Sequence, residues 1–187
     1  METALPFGIR DIKLTPYTDA AATTLATTSV DLPYARTLSW TETEDFETLR
    51  GDDRDVAAHG KGASLSFEFE SGGLPYAAFK VMAGGTITES GSGNTSKSVY
   101  AKKVTDQRPY FRIEGQSISD SGGDVHTIIH KAKCTGDLSG SFADGAFTLL
   151  AASGIGIAPA SGAHADVLYE FVNNASVTAF VEPGVVV

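Results

Sequence analysis

The segment "ASLSFEFES" (residues 63–71) constrains the fold most strongly, because its apolar residues recur at every second position. Leu65, Phe67 and Phe69 alternate with serine and glutamate, and a period of two puts the two sets on opposite faces of a β-strand. This segment is therefore predicted to be a strand with one buried face and one solvated, acidic face.

The rest of the chain also favours strands over helices. Short apolar runs separated by Ser, Thr and 20 glycines are typical of many strands joined by turns, and Ile12 and Leu14 alternate with polar residues near the N-terminus. Residues 75–83 differ, because apolar residues there recur at spacings of three and four, with Pro75 at the start and Gly84 placed to end a helix. The sequence thus predicts a mainly β fold, a β-sandwich or barrel-like arrangement with one short flanking α-helix.

The length and charge of the chain limit its organisation and its partners. Its 187 residues suffice for one core, so residues 1–187 are predicted to form a single domain. With 23 acidic and 14 basic residues the formal net charge is −9, which argues against tight DNA binding. The N-terminus lacks the apolar core of a secretory signal, and no run of about 18 apolar residues occurs, so we expect folding in the cytoplasm without a membrane partner.

Two segments lack a clear period and are predicted to be irregular. Residues 18–33 are rich in Ala and Thr and poor in charge, which indicates a flexible arm or long loop. Residues 41–62 form a polar run that is long for a turn between strands, which indicates a long functional or mobile loop. Its acidic residues, together with one phenylalanine, are Glu42, Glu44, Asp45, Phe46, Glu47, Asp52, Asp53 and Asp55.

None of the candidate chemical motifs has the spacing that its chemistry requires. On a predicted strand, His126 and His130 would lie about 13 Å apart at about 3.3 Å per residue, too far to share one ion. The carboxylates of residues 41–62 lack the calcium-loop frame, and residues 91–98 lack the glycine that precedes the lysine of a phosphate loop. The lone Cys134 is predicted to be an inert strand residue. We therefore predict no enzyme activity, no catalytic, metal-binding or cofactor-binding residue, and no cofactor.

Three landmarks follow one another over roughly residues 35–155: "TLSWTETEDFETLRGDD", "GASLSFEFESGGLPYAAFKVMAGG" and "RPYFRIEGQSISDSGGDVHTIIHKAKCTGDLSGSFADGAFTLLAASG". Their succession resembles the major tail tube proteins of long-tailed (siphovirus-type) bacteriophages. The resemblance implies a tail tube fold, a β-sandwich with one flanking helix. It also implies hexameric rings that stack into the hollow tube through which phage DNA is ejected.

The resemblance further implies roles for particular residues. Residues 41–62, with the eight side chains named above, would contact the adjacent ring, and strands of six subunits would join into a continuous inner barrel. Glu68 and Glu70, on the predicted acidic face, are candidates for lining the lumen, because a negative wall repels DNA and lets it pass without specific binding. Residues 18–33 and the C-terminal "EPGVVV" match no part of the pattern.

The partners implied by the resemblance are other copies of this chain and other tail proteins, such as the tape measure, baseplate or tip, and terminator proteins. The location implied is the virion tail, with the host cytoplasm during assembly. A second hypothesis is a monomeric β-sandwich binding module, adhesin-like and also part of a virion. It would use Trp40, Tyr76, Tyr100 or Tyr110 as stacking surfaces for a ligand.

Overall fold

A computed structural model of the chain describes residues 3–32 and 34–179, so the C-terminal "EPGVVV" lies outside the described residues. The elements are β1 (Pro6–Pro16), β2 (Val30–Leu32), β3 (Ala35–Gly51), β4 (Arg54–Gly72), α1 (Tyr76–Ala83), β5 (Thr86–Ser90), β6 (Lys97–Ala101), β7 (Phe111–Ser119), β8 (Asp124–Lys133), β9 (Leu138–Gly140), β10 (Leu149–Gly156) and β11 (Tyr169–Asn174). A short 3-10 helix, Gly93–Thr95, joins β5 to β6. The predicted mainly β fold with one short helix is confirmed.

The strands form a large antiparallel sheet in the order β2-β1-β7-β8-β10-β4-β3, and β5 and β6 form a separate hairpin. One edge of β8 pairs with β7. The opposite edge has two partners, because most of it pairs with β11 and its last residues pair with β10. The sheet bends so that β3 lies against β1. Gly115 of β7 makes room for this contact, since a Cβ there would lie 2.5 Å from a methyl carbon of Leu38. The result is a sandwich-like arrangement with the core between the two ends of one sheet.

The core is built from the alternating residues of β1, β4 and β7. Phe67 packs parallel to Phe69 and edge-on to Phe111, each pair with ring centroids 6.2 Å apart. Ile12 and Leu14 of β1 are completely buried beside them. Leu65, Phe67 and Phe69 are at most 2% exposed, whereas Ser66 and Glu68 between them are exposed, so the predicted alternation is confirmed.

Helix α1 covers one end of this core. Its buried residues Ala78, Val81 and Met82 face the sheet. The helix ends at Gly84, which has φ of 76° and whose N–H donates to the carbonyl of Lys80. A side chain at Gly84 would collide with the carbonyl oxygen of Gln107, so glycine is required there for both conformation and space.

Residues 18–29 form a long loop of turns and bends, as one of the two alternatives predicted, whereas residues 30–32 form strand β2. The Asp19 carboxylate accepts hydrogen bonds from the N–H groups of Thr23 and Thr24, and β2 pairs with β1. Leu32 is 1% exposed and belongs to the core. The sequence did not predict these contacts, because the few apolar side chains of this Ala/Thr-rich segment are positioned by turns and therefore show no periodicity.

The β3–β4 ladder contains one buried and one exposed phenylalanine, which allows a matched test of core packing. We expect Phe67→Ala to lower the free energy of unfolding by about 3–5 kcal/mol, because it removes the aromatic side chain at the centre of the core. Phe46→Ala removes an identical side chain that is 63% exposed and should change stability by less than about 0.5 kcal/mol. Urea denaturation at low protein concentration measures both values, and equal losses would contradict this account of the core.

Candidate functional site

The predicted loop at residues 41–62 is a β-hairpin, so the prediction of irregular structure is wrong. β3 and β4 pair along almost their whole length, with three shifts of register, and are joined by Asp52 and Asp53. These two residues have φ of 51° and 61°, the left-handed conformations that a tight two-residue hairpin turn requires and that aspartate tolerates. The strands were missed because both faces of the hairpin are solvated, which removes the alternation that predicts a strand.

The outer part of this hairpin, residues 44–63, is named the distal hairpin. β10 pairs with β4 only between Leu65 and Gly72, so beyond Leu65 the two strands of the hairpin pair only with each other. Apart from Gly51 and Gly60, every residue of the distal hairpin is exposed. At its base, the hydroxyl of Tyr169 donates to the Glu42 carboxylate over 2.6 Å. The distal hairpin therefore projects from the body as a two-stranded ribbon.

The distal hairpin is acidic. Two carboxylates form cross-strand ion pairs, Asp55 with Arg50 at 2.7 Å and Glu47 with Lys61 at 2.6 Å. The others, Glu44, Asp45, Asp52 and Asp53, have no ion-pair partner among residues 3–32 and 34–179. Residues 41–62 carry seven carboxylates and three Lys or Arg side chains, a surplus of four negative charges. Exposed ion pairs of this kind contribute little stability, and the surplus negative charge of the hairpin faces solvent.

The distal hairpin also exposes large apolar side chains. Phe46, Leu49 and Val56 are 63%, 65% and 61% exposed, respectively. Only Phe46 was among the predicted site residues, since Leu49 and Val56 are isolated within a polar run. The register of the ladder places Phe46 and Leu49 on opposite faces, so the projecting ribbon exposes apolar side chains on both sides.

Glu68 and Glu70 lie on the outer face of the β10–β4–β3 part of the sheet. Glu68 faces Ser39 on β3 and Ser153 on β10, so small polar side chains surround it. Glu70 is half-buried and lies 3.3 Å from the Arg36 guanidinium. A shallow polar depression of about 290 Å³ lies on this face, and Asp137 lines it together with Glu68 and Glu70. Within the described part of the chain, Glu70 is the one of these three carboxylates that has an ion-pair partner.

Sequence reasoning missed a group formed by His130, His164 and Glu170, here named the histidine–glutamate cluster. Glu170 lies opposite Ile128 in the β8–β11 ladder, which puts its side chain on the face that carries His130. The Glu170 oxygens lie 3.4 Å from His130 Nε2 and 3.1 Å from His164 Nδ1. The imidazole rings stack with centroids 4.0 Å apart. No spacing in the sequence indicates the cluster, because β-pairing and the loop after β10 bring its members together.

The surroundings of this cluster favour a neutral His130. Burial, and then the proximity of His164, lower the pKa of His130 to about 4, although Glu170 opposes this effect. Burial by itself would raise the pKa of Glu170, but the hydrogen bond from His164 and the charges of both histidines lower it. At neutral pH the cluster thus offers an uncharged buried imidazole and an ionised carboxylate.

His126 belongs to a separate buried network centred on Asp124. The Asp124 carboxylate is completely buried and accepts hydrogen bonds from the Thr178 N–H, the amides of Gln116 and Asn174, and the His126 ring. Burial opposes ionisation, but these donors outweigh it and lower the pKa of Asp124 well below its ordinary value. The network ties residues 174–178 to the β7–β8 hairpin.

The other candidate residues are dispersed. Cys134 is buried, which raises the pKa of its thiol to about 12 and makes it unreactive at neutral pH. Tyr76 stacks on Tyr100, and Tyr110 lies beneath the ammonium groups of two lysines. Trp40 packs instead against aromatic residues of β11. The predicted stacking residues therefore do not form one common surface.

No protein-family model and no curated protein matches this chain. Within the described residues, no helix is both long and apolar enough to cross a membrane. The fold and the site define a mainly β protein with a projecting acidic hairpin.

Proposed function

We propose that the chain is a structural protein that assembles with copies of itself into stacked rings, forming the hollow tail tube of a long-tailed bacteriophage. Its site of function is the virion tail, and it performs no catalysis. The observation that carries the proposal is the distal hairpin, which projects from the body with exposed apolar side chains.

The physical argument concerns the stability of the distal hairpin. A two-stranded hairpin without a covering layer is marginally stable in water, and both of its outer edges offer unpaired backbone groups. Ordering each residue costs about 1–2 kcal/mol of conformational entropy. The hydrogen bond from Tyr169 reaches Glu42 at the base of the hairpin, and no hydrogen bond from the described body reaches residues 44–63. Partner surfaces that cover the exposed apolar side chains on the two faces of the ribbon, Phe46 on one and Leu49 on the other, would supply the missing stabilisation.

A second copy of the chain is a suitable partner because the chain has a region of opposite charge. Residues 97–108 contain four basic side chains and one acidic side chain, whereas residues 41–62 have four surplus negative charges. A contact between two different surfaces of one chain is head-to-tail, and repetition of such a contact produces a ring or a filament. Phe142 and Phe147, 82% and 96% exposed, offer further apolar contact area.

The outer face that bears Glu68 and Glu70 is our candidate for the wall of the lumen. On the described parts of β3, β4 and β10 this face carries mainly hydroxyl and carboxylate groups, and its Arg36 is paired with Glu70. Lys133 lies on the adjoining strand β8, so little basic surface is available to release counterions from DNA. DNA would therefore pass without being held. The resemblance to tail tube proteins extends the proposal to hexameric rings and to contacts with tape measure, baseplate or tip, and terminator proteins.

The assembly proposal predicts polymers that depend on concentration. Sedimentation velocity and electron microscopy of the purified chain should reveal rings or tubes as concentration rises. The variant Phe46→Ser/Leu49→Ser/Val56→Ser should raise the critical concentration at least about tenfold, because it removes apolar contact area worth about 25 cal/mol per Å².

The variant Thr41→Ser/Thr48→Ser/His59→Asn changes three positions of the same hairpin without removing a large apolar side chain, and it should assemble like the natural chain. A natural chain that stays monomeric at every concentration, also with initiating tail proteins present, would overturn the proposal.

A second candidate function is supported by a groove of about 760 Å³ beside Trp40. Ile9, Leu38, Trp40 and Phe171 contribute to its apolar lining, a composition suited to an organic ligand or a sugar ring. In this case the chain is a monomeric binding module of a virion. Thermal stabilisation by an oligosaccharide, lost in Trp40→Ala and accompanied by no assembly, would favour it over the tube.

A further inference from the structure

The histidine–glutamate cluster has the shape of a metal site. Around a tetrahedral ion with ligand bonds of about 2 Å, neighbouring donor atoms lie about 3.3 Å apart. Each Glu170 oxygen lies at about that separation from one histidine nitrogen, Oε2 at 3.4 Å from His130 Nε2 and Oε1 at 3.1 Å from His164 Nδ1. One donor atom from each of the three residues lies within 4.8 Å of the others, and a shared ion requires one of the stacked imidazole rings to rotate towards it. His164 is free to make this rotation because its side chain is 47% exposed.

A second observation points to a ligand independently of these distances. His130 is 4% exposed, and its Nε2 atom makes no hydrogen bond of good geometry within the described part of the chain. Buried ring nitrogens are nearly always satisfied, since an unsatisfied buried polar atom costs about 1–3 kcal/mol. Nε2 of His130 lies 3.4 Å from a Glu170 oxygen, and its ring stacks on that of His164, so an ion bound among the three residues would adjoin it.

We propose that His130, His164 and Glu170 together bind one divalent transition-metal ion of the zinc class. Two imidazoles and one carboxylate are borderline ligands that suit Zn²⁺ and leave its fourth position to water. Calcium and magnesium prefer sets made of oxygen atoms, so this cluster discriminates against them. The proposal does not depend on the tube function.

The surroundings of the cluster are compatible with a bound cation. The positive charge of Arg112 lowers the pKa of His130. The Arg112 guanidinium is paired with the Glu114 carboxylate at 3.2 Å, which reduces its repulsion of a bound cation. Turn hydrogen bonds hold the loop that carries His164, including Asp166 N–H to Pro159 carbonyl at 2.9 Å. An ion would therefore link this loop to strands β8 and β11 without a change in the fold.

The test is a titration of the monomeric chain, purified without a polyhistidine tag, with Zn²⁺. Isothermal calorimetry should show one ion per chain, and Co²⁺ should give the visible absorption of a tetrahedral site. His164→Ala and Glu170→Gln should each weaken Zn²⁺ binding at least about tenfold, because each removes one ligand. Both positions are partly exposed, and circular dichroism confirms that the variants fold.

His59→Ala is the matched control, since His59 is an exposed histidine on the distal hairpin. It should bind Zn²⁺ like the natural chain. The proposal is overturned if the natural chain binds no Zn²⁺, if either cluster variant binds it with unchanged affinity, or if His59→Ala abolishes binding. Because the titration uses the monomer, none of these outcomes bears on ring or tube formation.

Discussion

Replacing residues 44–63 with an Asn-Gly turn is expected to abolish assembly and to leave the folding of the body intact. Thr43 and Ser64, which remain, face each other in the ladder, and their hydroxyl groups lie 2.8 Å apart, so an Asn-Gly turn can connect them. The excised residues make strand pairs only with one another, so the core loses nothing. The expected result is a monomer at every concentration with an unchanged thermal midpoint, measured by sedimentation and by differential scanning calorimetry.

The control shortens a different hairpin in the same way. Replacing residues 91–96 by Asn-Gly joins Ser90 to Lys97, which also face each other across a ladder. This variant should assemble normally, because it removes no charged residue and no large apolar side chain. Tubes formed by the variant that lacks residues 44–63 would show that the distal hairpin is not the assembly element.

Asp124→Asn is expected to have the largest effect on stability among single polar substitutions. The carboxylate accepts hydrogen bonds from Gln116, Asn174, Thr178 and His126, and an amide in its place would point a donor at other donors. Hydrogen bonds to a buried charge contribute about 1.5–3 kcal/mol each, and losses within one network are not additive. We expect the free energy of unfolding at pH 7 to fall by about 2–5 kcal/mol.

The pH dependence of that loss follows from the pKa of Asp124. The folded state lowers this pKa below its ordinary value of about 3.9, so the stabilisation is complete above about pH 4 to 5. It is lost as the pH falls below about 4 towards the folded-state pKa. Urea denaturation of both proteins should therefore show a difference that is constant near neutrality and shrinks in acid.

Asp120→Asn provides the comparison for this experiment, because Asp120 is an exposed carboxylate in the same β7–β8 turn region. Its substitution should change stability by less than about 0.5 kcal/mol at any pH. Equal effects of the two substitutions, or a difference that grows in acid, would contradict the role assigned to Asp124.

The sequence predicted the secondary structure correctly wherever one face of an element is buried and the other is exposed to solvent. The alternation around Phe67 predicted a half-buried strand, and the spacing between Pro75 and Gly84 predicted the helix, because burial imposes a period of two or of 3.6 on residue type. The same rule explains what the sequence did not predict. Residues 41–62 are solvated on both faces, and the contacts of residues 18–32 are set by turns, so neither segment carries a period.

Two features were decided by the tertiary structure alone. The pairing of β8 with β11 brings His130 to Glu170, and a turn-rich loop adds His164, although His130 is far in the sequence from the other two residues. The projection of the distal hairpin likewise depends on where β10 stops pairing with β4. A sequence pattern indicates whether each residue is buried or exposed to solvent, and this information is local to the segment. The choice of neighbouring strand depends on the packing of the whole sheet, and no local pattern records it.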